Sequence, residues 1–114
     1  MALSITSREI DSITILDLSG RITLGEGSVQ LRDSIRDLLA KSVKHILLNM
    51  GDVNYIDSSG LGELVYALTS IKNQGGELKL LNLTKKVSDV LQLTKLYTVF
   101  DIKDDEASAI ASFD

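Results

Sequence analysis

Asp57-Ser58-Ser59-Gly60-Leu61-Gly62 is the string in this chain whose residue types and spacing could do chemistry at a surface. Two adjacent hydroxyls stand between a carboxylate and a glycine. A serine hydroxyl accepts phosphate when it is accessible and its modification leaves the core undisturbed. A strand-to-helix junction offers both conditions, and the flanking pattern predicts one. His45-Ile46-Leu47-Leu48-Asn49-Met50 reads as an interior strand buried on both faces. Leu61, Leu64, Val65, Leu68 and Ile71 then recur at helical spacing. Ser58 or Ser59 should therefore begin a helix. The first turn of a helix has backbone N–H groups with no partner and a partial positive charge, which favours an anion. Phosphorylation would add about −1.5 to −2 charges and three strong acceptors beside Asp57. A partner packed on that surface would be expelled, because burying an unpaired charge at an interface costs on the order of 2–5 kcal/mol. That is roughly a 30-fold to several-thousand-fold loss of affinity.

The same residues have plainer readings. A serine before a helix is most often a cap. Gly60 and Gly62 each cost a helix about 1 kcal/mol relative to alanine. They mark either a close approach by another protein's backbone or a helix that starts later, near Gly62, after a glycine-rich turn.

The elements that must position the motif follow from the periodicity. Leu3 to Glu9 and Ser12 to Leu18 are rich in β-branched residues, and the turn Asp11-Ser12 joins them as a hairpin. Ser19-Gly20-Arg21 ends the second strand. Gly25-Glu26-Gly27-Ser28 is a loop with Ser28 as N-cap, and Leu31, Ile35, Leu38 and Leu39 mark an amphipathic helix to about Lys41. Gly51-Asp52 reads as a turn after the buried strand. Gly75-Gly76 stops the second helix. Glu77 to Leu83 is another buried strand. Val87, Val90, Leu91 and Leu96 give a short third helix, Thr98 to Ile102 a last strand, and Asp104-Asp105-Glu106 opens a final helix with acid at its positive end. The order β-β-α-β-α-β-α-β-α predicts an α/β domain spanning residues 1–114. It is an open mixed, mostly parallel sheet with about four helices and an N-terminal hairpin. Functional loops in such sheets lie at the carboxyl ends of strands, where the motif falls.

Bulk properties narrow the chemistry. A chain of 114 residues suffices for one core. With 44% hydrophobic and 25% charged residues, disorder is disfavoured. A net charge of −4 with scattered Lys and Arg argues against a nucleic-acid surface, and 4% aromatic residues disfavours base stacking. The lack of cysteine removes thiolate zinc sites and thiol nucleophiles. No metal site and no cofactor is expected. The start Met1-Ala2-Leu3-Ser4-Ile5-Thr6 lacks the charged and apolar regions of a signal peptide, and no apolar run spans a bilayer, so a cytoplasmic protein without membrane contact is expected, monomeric when free. His45 is the sole histidine and reads as structural. Ser, His and Asp are all present, but the G-x-S-x-G elbow of a small hydrolase is absent. Gly25-Glu26-Gly27 lacks the Gly-Lys-Ser/Thr of a phosphate loop. Tyr55, Tyr66 and Tyr97 read as partly buried or rim residues, and Lys85-Lys86 as a solvated helix start.

Asp57-Ser58-Ser59-Gly60-Leu61-Gly62 resembles the signature of the STAS domain family, specifically the bacterial anti-sigma factor antagonists. The resemblance extends to the opening hairpin, Leu18-Ser19-Gly20-Arg21-Ile22, the buried strand and Gly75-Gly76-Glu77-Leu78. It implies a non-enzymatic domain that binds an anti-sigma factor with serine kinase activity and so frees a sigma factor. It implies that the kinase phosphorylates Ser59, that the phosphorylated protein lets go, and that a serine phosphatase restores it. Asp57 and Ser58 carry over as flanking contact residues, and Gly60, Leu61 and Gly62 as the docking turn. The chain departs from the family at Gly20-Arg21-Ile22-Thr23, where many members have Gly-x-Leu-Asp. Arg21, Thr23 and Glu26 are therefore expected to tune partner choice. Two other readings stand beside this one. The first is a STAS docking subunit of a signalling or lipid-transport assembly, or a nucleotide-binding module, without a phosphate cycle. The second is a receiver-like domain phosphorylated on Asp57, although no acidic pair follows an early strand.

Overall fold

Asp11 and Ser12 both take positive φ, 52° and 66°, the backbone that lets a two-residue turn match the twist of its flanking strands. They close the hairpin of β1 (Leu3–Ile10) and β2 (Ile13–Ile22). The computed structural model describes residues 3–113, so the ends of the expected domain, Met1, Ala2 and Asp114, lie outside the described residues. After the hairpin come α1 (Glu26–Ala40), β3 (His45–Ile56), α2 (Ser58–Asn73), β4 (Glu77–Leu81), α3 (Lys85–Leu93), β5 (Asp101–Lys103) and α4 (Glu106–Ala111). The strands form one sheet in chain order, β1 to β5; β1 pairs antiparallel with β2 and the other pairs are parallel. The expected α/β class, hairpin, strand directions and helix number agree with this.

The unbroken apolar run in β3 has two jobs. Ile46, Leu48 and Met50 enter the main core with Leu31 and Ile35 of α1, Leu64 and Ile71 of α2, and Val87 and Leu91 of α3. Leu47 faces the other way, into a smaller core with Ile13, Ile15, Leu81 and Ala109 of α4. Alternation across a strand buried on both faces thus leaves no position for a polar residue until Asn49. Asn49 Nδ2 donates to Asp17 Oδ1 at 2.8 Å, and Asp17 also accepts from Arg8, which reaches Glu106 at the start of α4. This polar cluster and the small core pin α4 to the sheet.

Several boundaries differ from expectation. Gly51-Asp52 is not a turn: β3 continues through it to Ile56. Ser19-Gly20-Arg21 likewise stays in β2. Register irregularities between Asp17 and Ser19 and between Gly20 and Arg21 keep the two strands paired, Ser19 opposite Asp52 and Arg21 opposite Tyr55. A bulge adds a residue without ending the ladder. Ser28 is not an N-cap: α1 starts earlier, after Gly25 at φ 95°, and Ser28 is buried with both its N–H and its hydroxyl donating to Thr23 O. β4 stops at Leu81 and not Leu83, because Asn82 turns out at φ 59° and Thr84 caps α3. Leu96 lies beyond α3, folded back with its N–H on Leu91 O. β5 is shorter than Thr98 to Ile102 and runs to Lys103, since it pairs only along Lys79–Leu81. Among the described residues, no helix is long and apolar enough to cross a membrane.

Candidate functional site

β3 delivers the chain to the carboxyl end of the sheet, and α2 begins at Ser58. Asp57, not a serine, is the N-cap. Its Oδ1 accepts from Gly60 N at 3.0 Å, and its Oδ2 accepts from Leu24 N, also at 3.0 Å, across 33 residues of sequence. One carboxylate therefore satisfies an orphan amide of α2 and ties the β2–α1 loop to it. The Leu24 and Gly60 amides hold the Asp57 carboxyl below its ordinary range. Asp57 N donates to Ile22 O at 3.3 Å, and its own carbonyl accepts from Leu61 N at 2.9 Å.

Because Asp57 takes the cap, the serines do not. Neither the Ser58 nor the Ser59 hydroxyl makes a hydrogen bond among the described residues. Ser58 is exposed and Ser59 half-buried. A free hydroxyl thus sits in the first turn of a sixteen-residue helix, where the dipole is positive.

The two glycines differ. A Cβ on Gly60 would lie 2.2 Å from Ile22 O, 2.7 Å from Ile56 Cγ1 and 2.9 Å from Ile22 Cγ2. Gly60 is buried, and the backbone that approaches it is the chain's own. A Cβ on Gly62 would meet nothing within 4 Å, and Gly62 is exposed. The helix does not start late: both glycines lie inside α2. Leu61 is buried and packs into the main core.

The β2–α1 connection is tied to the motif by Arg21 opposite Tyr55 and by Leu24 N on Asp57. Arg21 is exposed and pairs in register with Tyr55; Thr23 is half-buried with its carbonyl taken by Ser28; Glu26 is exposed at the start of α1. Sequence reasoning missed Leu24, which is 79% exposed although its amide is anchored on Asp57. Tyr55 is 46% exposed. The available signal for Leu24 was a large apolar residue in a loop, outside any strand or helix period. Also missed was a clamp between helices. Arg32 of α1 meets Glu63 of α2 with Nε 3.1 Å and Nη2 2.8 Å from Oε2, and Nε 3.2 Å from Oε1.

Other chemistries lack the geometry. His45 begins β3, 3.6 Å from Glu77 and against the Phe113 ring, while Ser59 follows the opposite end of that twelve-residue strand. Both oxygens of Asp57 are occupied by amides, which leaves neither free as an aspartyl phosphoacceptor. Among the described residues, no three His, Cys, Asp or Glu side chains gather to hold a metal.

The STAS domain family model matches residues 4–109. The anti-sigma-B factor antagonist of Bacillus subtilis is 29% identical over 102 residues, 90% of this chain and 92% of that protein. A crystal structure of a Thermotoga maritima protein matches with a TM-score of 0.89 at 30% identity, covering 96% of this chain and 93% of that one. The fold is shared with SpoIIAA of Bacillus, an anti-sigma factor antagonist. It is known unphosphorylated, with a TM-score of 0.80 at 22% identity over 94% of this chain and 93% of that one. It is also known phosphorylated, with a TM-score of 0.74 at 20% identity over 95% of this chain and 97% of that one.

Proposed function

This chain belongs to the STAS domain family, and from that premise we propose that it is an anti-sigma factor antagonist, a cytoplasmic binding protein switched by phosphate on Ser59. The observation that carries the reading is the free Ser59 hydroxyl in the first turn of α2, left uncapped because Asp57 holds the helix start. The name of the Bacillus subtilis relative, which is similar over 90% of this chain, supports the class of partner. SpoIIAA, known with and without phosphate, supports the use of this fold for such a cycle.

In the unmodified state the protein binds an anti-sigma factor with serine kinase activity, and the sigma factor is released. Ser58, Gly62, Arg21 and Glu26 are exposed and touch the partner directly, with Leu24 and Tyr55 as apolar anchors. Asp57, Gly60, Leu61 and Thr23 shape the same surface from within. The kinase then transfers the γ-phosphoryl of ATP to Ser59. A bond forms between Ser59 Oγ and phosphorus, the bond to the ADP oxygen breaks, and the hydroxyl proton leaves to a base on the kinase. The new charge lies within the interface, and the complex separates. A serine phosphatase hydrolyses the ester and resets the protein.

Incubation with the organism's anti-sigma factor kinases and ATP tests the reading by mass spectrometry. One phosphate on Ser59, and none on a Ser59→Ala protein, is the expected result. Tight binding without any phosphate transfer would instead favour a docking subunit, a reading the exposed Leu24 and Tyr55 also support.

A further inference from the structure

The packing of α1 on α2 brings Arg32 against Glu63, in the second turn of α2. The Arg32 Nε and Nη2 are engaged by Glu63, and its Nη1 makes no hydrogen bond among the described residues. Glu63 is held firmly, with its side chain 13% exposed, while Arg32 is 39% exposed and open on its free edge. Ser59 and Glu63 are four residues apart on one helix, so their Cβ atoms share a face at roughly 5–6 Å. The Arg32–Glu63 pair therefore anchors the guanidinium about one helical turn from Ser59. A phosphate lengthens the Ser59 side chain and adds three acceptors to it.

We propose that Arg32 is the chain's own reader of the Ser59 phosphate: its free Nη1 edge turns to the phosphoryl oxygens, and Glu63, now beside a dianion, loses its exclusive hold on the guanidinium. This deepens the reading of Ser59 as phosphoacceptor and rests on it. The chemistry fits the residue type. Guanidinium presents donors on two edges and can bridge two anions, which an ammonium does less well. Without a bridging cation, the phosphate would face Glu63 one turn away and Asp57 two residues away, like charges on one small surface. The consequence is a change of surface and not only of charge: the α1–α2 clamp is remade when phosphate arrives, so a partner spanning the two helices meets a different rim.

The test uses the full chain with phosphoserine installed at position 59 during synthesis, so it does not depend on any kinase. Phosphorus NMR follows the second ionisation of that phosphate, ordinarily near about 6. Arg32→Gln is expected to raise the midpoint by about half a pH unit or more, since an opposite charge favours the dianion. Glu63→Gln is expected to lower it, by freeing Arg32 and removing a like charge. Arg32→Lys is expected to restore only part of the shift. Identical midpoints in the wild-type and Arg32→Gln proteins would overturn the proposal, whatever Glu63→Gln does. A merely structural clamp would change melting temperature but leave Arg32→Gln at the wild-type midpoint. If no kinase ever modifies Ser59 while the midpoints shift as stated, the function is wrong and the contact stands.

Discussion

Gly60→Ala and Gly62→Ala are the same substitution two residues apart on one helix, and their effects should have opposite signs. Alanine stabilises a helix interior by about 1 kcal/mol relative to glycine. At Gly62 the added methyl meets nothing within 4 Å, so most of that gain should appear. For a domain of this size it corresponds to a rise of about 4 °C in melting temperature. At Gly60 the methyl would lie 2.2 Å from Ile22 O, roughly 1 Å inside ordinary contact. The obstacle is backbone, and that carbonyl already accepts from Asp57 N. The start of α2 or the end of β2 must move, and overpacking of this kind costs typically about 1–3 kcal/mol or more. Because the obstacle is backbone at 2.2 Å, the cost falls at the upper end, about 3 kcal/mol; less the propensity gain, the net expectation is a loss of about 2 kcal/mol and a fall of roughly 8 °C. Thermal melts with urea unfolding at 25 °C read both. A Gly60→Ala protein as stable as the wild type would refute the claim that α2 is seated on the Ile22 carbonyl. Gly62→Ala adds a second reading: a methyl on the exposed turn should weaken anti-sigma factor binding while the fold becomes more stable.

Asp57→Ala removes the acceptor of both the Gly60 and Leu24 amides, and urea unfolding at pH 7 should show a loss of about 1–2 kcal/mol. The Asp57 carboxyl is held below its ordinary value, so its contribution is complete above about pH 4 and fades as pH falls through the lowered value. The gap between wild type and Asp57→Ala should therefore narrow at pH 3. Arg8→Gln breaks contacts to Asp17 and Glu106, whose carboxyls Arg8 holds low. Hydrogen exchange should quicken in α4, with α1 and α2 left protected. Leu24→Ser should change stability by less than about 0.5 kcal/mol, because the side chain is 79% exposed. It should weaken binding to the anti-sigma factor by about tenfold or more in titration calorimetry if Leu24 is an anchor.

The parts of the fold that depend on local pattern were readable from the chain. The apolar run 45–50 implied a strand buried on both faces, and the structure divides that run between two cores. Leu61, Leu64, Val65, Leu68 and Ile71 implied the inner face of α2; four are buried and Val65 is half-buried against the same core. What escaped was set by partners distant in sequence. Gly51-Asp52 looks like a turn in isolation and is strand because β3 takes up its extra residues as bulges and stays paired with β2. The plain reading of the serines as caps fails because Asp57 reaches two amides at once, one of them on a loop 33 residues away. Nothing in the string distinguishes Gly60 from Gly62; the Ile22 carbonyl does. The Arg32–Glu63 clamp spans 31 residues and has no local signature.

Titration calorimetry of the organism's anti-sigma factor against this protein, unmodified and with phosphoserine at position 59, measures the switch directly. The unmodified form should bind tightly and the phosphorylated form at least about 30-fold more weakly, the lower end of what an unpaired interfacial charge removes. Equal affinity for the two forms would contradict the switch.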